Sequence, residues 1–294
     1  MSAPLPDDGQ AGAVARSLLD WYEREARPLR IRERRDAYAV LIVEVMAQQT
    51  QISRVDVLAL RFLERFPTLE SLAASEAAEV IDAWRGLGYN RRAIALHAAA
   101  RRAVELGGLP GDHEALMALP GIGPYTARAV SAIASGGRSI PVDVNVARVV
   151  QRLLGVPRLK PGELQAAADA FGAPVPVGRA GEWAQGAMDL ASRLCRVADP
   201  LCGECPLREH CVSADRPFPA APRARGSRPP FRATSRWLRG RLMDELRDAG
   251  ADGVEIAGKR GDHDEEAVAA ALAGLVREGL AERLGDGRHR LPRG

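Results

Sequence analysis

The stretch LPGIGPYTARAV, residues 119–130, sets two glycines and two prolines directly ahead of a helical pattern. Gly121 and Gly123 permit unusual φ values and close approach of another group, and Pro124 suits the first position of a helix. A glycine-rich turn that runs into a helix offers backbone N–H groups to an anion. It is not a Walker phosphate loop, because no Gly-Lys-Ser/Thr follows. Nor is it a dinucleotide fingerprint, since DHEALMA before it reads as helix and no strand precedes it. Helix, LPGIG turn, helix matches a hairpin that grips a DNA phosphate without reading base sequence. It also matches an ordinary turn between two helices.

Outward from this turn nearly everything reads as helix. Apolar residues recur at helical spacing near 38–48, 53–66, 76–85, 91–106, 113–118, 125–135, 144–155, 162–171 and 182–194. In AVARSLLDWYERE (13–25), Val14, Leu18, Trp21 and Tyr22 share one face. The punctuation is short: FPT, GLGYN, LGGLPGD and SGGRSIP. Strand signals are scarce before residue 215. The tract at 216–233, rich in proline and arginine, reads as a linker. Beyond it, Leu238, Leu242 and Leu246 mark one helix, and Val268, Leu272 and Leu275 another. LGDGRHRL (284–291) closes with an Asp-Gly turn between short extended pieces, so residues 234–294 suggest a small winged-helix-like module.

At 294 residues the chain has room for two or three domains. It is 46% hydrophobic with a mean hydropathy of -0.17, which reads as soluble and globular. AYAVLIVEVMA (37–47) is interrupted by Glu44 and too short to span a bilayer. Residues 1–9 lack the pattern of a secretory signal, so the expectation is a cytoplasmic bacterial protein associated with the nucleoid, and no membrane partner. The net charge is only +3, so any nucleic-acid surface must be a local patch. Lysine occurs only at Lys160 and Lys259. The arginine excess accords with GC-rich codons and carries little weight on its own.

Cys195, Cys202, Cys205 and Cys211 fall within CRVADPLCGECPLREHC (195–211), and the chain has no other cysteine. Without a secretory signal, four cysteines so close together are poor candidates for disulfides. They suit one metal centre, zinc or an iron–sulfur cluster, and the spacing alone leaves both open. Such a centre would be a structural clip holding a loop that presents Arg193, Arg196 and Arg208 to a phosphate backbone.

The combination is more specific than its parts. LPGIG, then the aspartate of VDVNVARV (142–149), then C-x6-C-x2-C-x5-C resembles the endonuclease III superfamily of DNA glycosylases over roughly residues 10–215. Within it, VEVMAQQTQ (43–51) and GLGYN (86–90) look like the MutY-type adenine DNA glycosylases, which remove adenine mispaired with 8-oxoguanine. The resemblance implies an all-α, two-domain helix-hairpin-helix fold with DNA in the cleft between the domains. A six-helix barrel would occupy residues 30–135, and residues 1–29 with 136–215 would form a domain carrying a [4Fe–4S] cluster on the four cysteines. It further implies a monomer acting on double-stranded DNA with A·8-oxoG or A·G mispairs.

The resemblance also assigns roles. Glu44, set among Ile42, Val43, Val45 and Met46, matches the catalytic acid that protonates departing adenine at N7; desolvation there would favour its protonated form. Asp143 matches the aspartate that stabilises the oxocarbenium-like sugar, and by itself it also reads as a helix N-cap. Tyr125 stands where bifunctional relatives carry a lysine. A phenol forms no Schiff base, so base release without strand cleavage is expected. Gln49 would wedge into the duplex, Tyr89 would stack beside 8-oxoguanine with help from Thr50, and Gly121 and Gly123 would meet a phosphate. Arg32 and Asp189 match positions that line the adenine pocket.

Departures from the pattern are Val43 for a small polar residue, Val144 for glycine and Asn90 for a second tyrosine. Residues 216–294 are too short for the Nudix-like domain with which longer members read 8-oxoguanine, which leaves lesion preference open. Two alternatives stay in view: a thymine-mismatch or endonuclease III-like glycosylase, and a non-catalytic cluster-bearing DNA-binding protein. Glu44 argues against the first, and Glu44 with Asp143 against the second.

Overall fold

The computed structural model describes residues 4–214, 216 and 229–293. The expected linker at 216–233 therefore lies largely outside the described residues. The chain divides into two compact units, each assembled from separate stretches of sequence. Of the described residues, one comprises 4–44, 109–118, 122–214 and 216; the other comprises 45–108, 119–121 and 229–293.

The first unit contains α1 (Asp8–Glu25), most of α2 (Ala37–Ala47), α7 (His113–Met117), α8 (Pro124–Ala134), α9 (Val144–Leu154), α10 (Pro161–Gly172) and α11 (Ala180–Arg193). Asp7 caps α1 by accepting from the Gln10 amide at 2.7 Å. The α1 face at Val14, Leu18, Trp21 and Tyr22 is buried as its spacing predicts, against Val146, Val150, Phe171, Trp183 and Ala187. So α1 packs on α10 and α11, helices far removed from it in sequence. Gln10 extends this reach, donating to the His210 carbonyl at 2.9 Å.

The second unit holds α3 (Ile52–Arg65), α4 (Leu69–Ala73), α5 (Ala77–Ala83), α6 (Arg91–Glu105), α12 (Ser235–Asp248), α13 (Glu265–Arg277) and a hairpin of β1 (Glu282–Arg283) with β2 (His289–Arg290). The antiparallel register pairs Glu282 with Arg290 and Arg283 with His289. Sequence periodicity misses α4, which is only five residues long and rests on a box between Thr68 and Ser71 with no glutamate to announce it. Among the described residues no helix is long and apolar enough to cross a membrane.

The grouping differs from the expected domains in two respects. Segments 30–44, 109–118 and 122–135 join α1 in the first unit, where α8 packs on α11 at a glycine, Gly181, that leaves no room for a β-carbon beside Ile133. Residues 229–293 have the two helices and hairpin read from the sequence, but they share a core with α5. Leu238, Leu242 and Leu246 close over Ile81. Arg247, with its side chain almost fully buried, donates to the Ile81 carbonyl at 3.1 Å and to Asn90 Oδ1 at 3.1 Å. Arg85 pairs with Asp248 at 2.9 Å.

Candidate active site

Glu44, Tyr125 and Asp143 meet within the first unit, delivered by α2, the first turn of α8 and the N-cap of α9. Glu44 is the one charged residue of α2, and its neighbours Leu41, Ile42, Val45 and Met46 are buried. Part of Glu44 still reaches solvent, yet protein crowds its carboxyl closely. Desolvation pushes its pKa up to about 7; the Asp143 charge adds to the rise, while Tyr125 and Arg32 pull it back. A carboxyl so placed is both proton donor and acceptor near neutral pH.

The Tyr125 phenol faces Glu44 within hydrogen-bonding reach and also lies 4.0 Å from the Met188 sulfur. Burial and the two carboxylates hold its pKa well above the usual tyrosine range, so it remains an O–H donor. Asp143 is fixed on three sides: Oδ1 accepts from the amides of Asn145 at 2.9 Å and Val146 at 2.7 Å, and Oδ2 from the Asn145 side chain at 2.7 Å. The helix cap therefore sets the carboxylate's position and leaves about one of its four acceptor directions open.

Two arginines hold Asp189, which is fully buried. Arg32 approaches with both terminal nitrogens at 2.8 and 2.9 Å, and Arg27 with its amide at 2.9 Å and Nε at 2.6 Å. With its oxygens so occupied, Asp189 orients Arg32, whose charge is felt at Glu44. Arg27 carried no sequence signal for this role.

In the second unit, Gln49 and Tyr89 have φ values of 58 and 47, a left-handed backbone that costs a side-chain-bearing residue about 1 kcal/mol. Among the described residues only Asp199 shares this feature outside glycine. Strained positions of this kind cluster at functional sites in proteins generally. Arg92, which sequence reading missed, ties these positions together. It donates to the carbonyls of Val45 at 2.8 Å, Gln48 at 2.7 Å and Gly88 at 3.2 Å, and approaches Thr50 Oγ1 at 3.5 Å.

The two hairpin glycines differ. Gly121 has φ 73, and a β-carbon there would stand 2.6 Å from that of Ala95, so the fold itself requires it. Gly123 has φ −90, and a β-carbon would meet nothing within 4 Å. Its missing side chain serves nothing inside the protein and leaves the start of α8 open.

The four cysteines line one cavity of about 290 Å³ together with Arg152, Asp199 and Arg208. Burial, reinforced by the neighbouring thiols, pushes Cys205 up to about 12 and Cys211 up to about 11. Arg152, itself buried, donates to Cys195 Sγ at 3.3 Å and to the Arg196 carbonyl at 2.7 Å. Among the described residues no three His, Cys, Asp or Glu side chains are gathered as a group for a single metal ion. A hydrogen-bonded run links this region to Asp143: Arg148 donates to Asn145 Oδ1 at 3.1 Å and to the Cys195 carbonyl at 2.8 Å. Asn145 and Arg148 were also unmarked by the sequence.

Residues 42–173 match the HhH-GPD superfamily of base excision DNA repair proteins. The adenine DNA glycosylase of Mycolicibacterium smegmatis is 37% identical over 284 residues, covering 93% of this chain and 94% of the relative. That of Homo sapiens is 38% identical over 224 residues, covering 71% of this chain but only 41% of its own. Among solved structures, a thermostable thymine-DNA glycosylase superposes with a TM-score of 0.64 at 26% identity, over 70% of this chain and 96% of that one. The chain belongs to the adenine DNA glycosylases of the helix-hairpin-helix superfamily of base excision repair enzymes.

Proposed function

We propose that this chain hydrolyses the N-glycosidic bond of adenine opposite 8-oxoguanine or guanine in duplex DNA and leaves the backbone uncut. The observation that carries the reading is the meeting of a carboxyl with a pKa of about 7, Glu44, with an anchored carboxylate, Asp143, and a phenol, Tyr125, where a lysine would make a lyase.

Glu44 gives its proton to adenine N7. The C1′–N9 bond then breaks with its electron pair leaving on the base, and the sugar becomes an oxocarbenium-like cation. Asp143 supplies negative charge at that moment, as in glycosidases. Water adds through oxygen to C1′ and returns a proton to Glu44, so the products are adenine and an abasic site. Tyr125 orients the Glu44 carboxyl and stays out of covalent chemistry. Arg32, held by Asp189, lines the adenine pocket. Gln49, Thr50 and Tyr89 contact the duplex at the mispair, and Gly121 and Gly123 contact a phosphate.

The test is base release, scored separately from strand nicking, on duplexes holding A·8-oxoG, A·G, T·G or thymine glycol. Adenine release without nicking is expected. Release of thymine alone would favour the activity named for the thermostable structural relative.

We also propose that Cys195, Cys202, Cys205 and Cys211 hold a [4Fe–4S] cluster. Four thiols on one cavity, two of them strongly raised and in need of a cation to ionise, and the Arg152 donor at Cys195 all fit that group. When bound, it organises the loop at 195–211 and supplies no group to base cleavage. Anaerobically purified protein is expected to be brown and to contain iron; stoichiometric zinc without iron would refute this. Cys202→Ser is expected to lose folding or DNA binding.

A further inference from the structure

Helix α12 carries arginines that the proposed reaction does not use. Of the arginines on this helix, Arg239 pairs with Glu278 at 2.7 Å and Arg247 is buried against α5. Arg236 differs. It is exposed, and among the described residues its guanidinium makes no hydrogen bond or ion pair. Instead it lies over the Tyr89 ring, 5.0 Å from the centroid, and its Nη2 is 3.9 Å from where a β-carbon on Gly88 would stand. Tyr89 is 46% exposed and has a strained backbone, and Arg92 approaches the same ring at 5.6 Å. An exposed aromatic ring with a guanidinium laid over it is a platform for a nucleic-acid base.

The placement is built into the fold. Arg247, donating to Ile81 and Asn90, pins α12 to the loop that carries Tyr89, and the leucine face of α12 closes over Ile81. Asn90, where the family pattern has tyrosine, is thereby committed to holding α12. All these residues lie in the second unit.

We propose that Arg236 is a specificity-determining residue for the purine opposite the excised adenine, so that α12 does part of the reading. This rests on the reading of Tyr89 as the residue stacked at that purine. Arg236 brings five N–H donors, none of them committed within the described residues. Oxidised guanine carries a carbonyl oxygen at C8 that guanine lacks. A planar donor group held beside the stacking ring can take that acceptor, and a well-placed arginine–base contact discriminates by about tenfold or more.

The test uses the full chain and needs no catalysis. Affinity is measured for duplexes with a tetrahydrofuran abasic-site analogue opposite 8-oxoguanine or guanine. Wild type is expected to prefer 8-oxoguanine, and Arg236→Ala to reduce that preference about tenfold without a change in thermal unfolding. Arg236→Lys keeps the charge but not the planar donor set, and it is expected to retain affinity while losing preference. Arg241→Ala removes an equal charge from the same helix and should leave the preference intact. Three results would each overturn the proposal: no wild-type preference, equal weakening of both duplexes by Arg236→Ala, or full preference in Arg236→Lys. Intact, Arg236-dependent preference in a protein that releases no adenine would instead sink the catalytic reading alone.

Discussion

Glu44→Gln is expected to release adenine about 10²–10⁴-fold more slowly than wild type, the range typical of a lost general acid, and yet to be the more stable protein above neutral pH. Both effects come from one carboxyl. Its folded pKa, about 7, lies above the ordinary 4.5, so the folded state binds its proton more tightly than the unfolded chain does. Below 4.5 the group is neutral in both states. Between 4.5 and 7 that stabilisation is progressively lost, and above 7 wild type carries a penalty of at most about 3.5 kcal/mol, from about 1.4 kcal/mol per pKa unit. Glutamine never ionises, so the advantage of the variant should be large at pH 8 and small at pH 4.5. Thermal unfolding at the two values checks this, and an equal gain at both would show that titration is not its source. The single-turnover rate of wild type should fall above about pH 7 as the acid loses its proton. Asp143→Asn should lose activity comparably but also lose about 1 kcal/mol of stability, because an amide in place of Oδ2 faces the Asn145 donor. Near-normal turnover in either variant would break the proposed mechanism.

Tyr125→Lys is expected to form a covalent DNA adduct that borohydride traps, together with some strand cleavage, neither of which wild type should show. The phenol already faces Glu44 and is close enough to feel the Asp143 charge, so an amine grown from the same backbone position reaches the groups that act on C1′. Two influences compete over its protonation. Burial lowers a lysine pKa, whereas the neighbouring carboxylates raise it. A minority of neutral amine is enough for attack, so the adduct should accumulate faster at higher pH. It should vanish in the double variant with Asp143→Asn. A Tyr125→Lys protein that still releases adenine but never yields an adduct would mean that position 125 does not face the sugar. Efficient nicking by wild type would be more damaging, since Lys160 lies at the start of α10 and Lys259 precedes α13.

What could be read from the chain depended on whether the deciding contacts were local. The α1 face showed itself through spacing, and Asp143 through its place before an apolar helix, because both follow from a few neighbouring residues. Glu44 was legible as the lone charge in an apolar helix. Arg27, Arg92 and Arg236 were not, because each acts through partners distant in sequence and looks like any other arginine in an arginine-rich chain. The division into units was hidden for a similar reason: segments 30–44, 109–118 and 122–135 group with α1 and α9 to α11, not with their chain neighbours. Asp189 matched a family position, but its two arginine partners appear only in the fold.

The packing of α1 on α10 and α11 governs how the protein is made. As the chain leaves the ribosome, α1 emerges well before α10 and α11, with its apolar face at Val14, Leu18 and Trp21 uncovered. Its principal partners begin at Pro161 and Ala180, so at about 5–20 residues per second it waits roughly 7–30 s for them. Meanwhile α3 to α6 emerge as a run of near neighbours whose contacts are local and close quickly. During synthesis the second unit's early helices therefore form beside an unfinished first unit. The nascent chain spends that interval with the apolar face of α1 uncovered, the stage at which a ribosome-associated chaperone has most to protect.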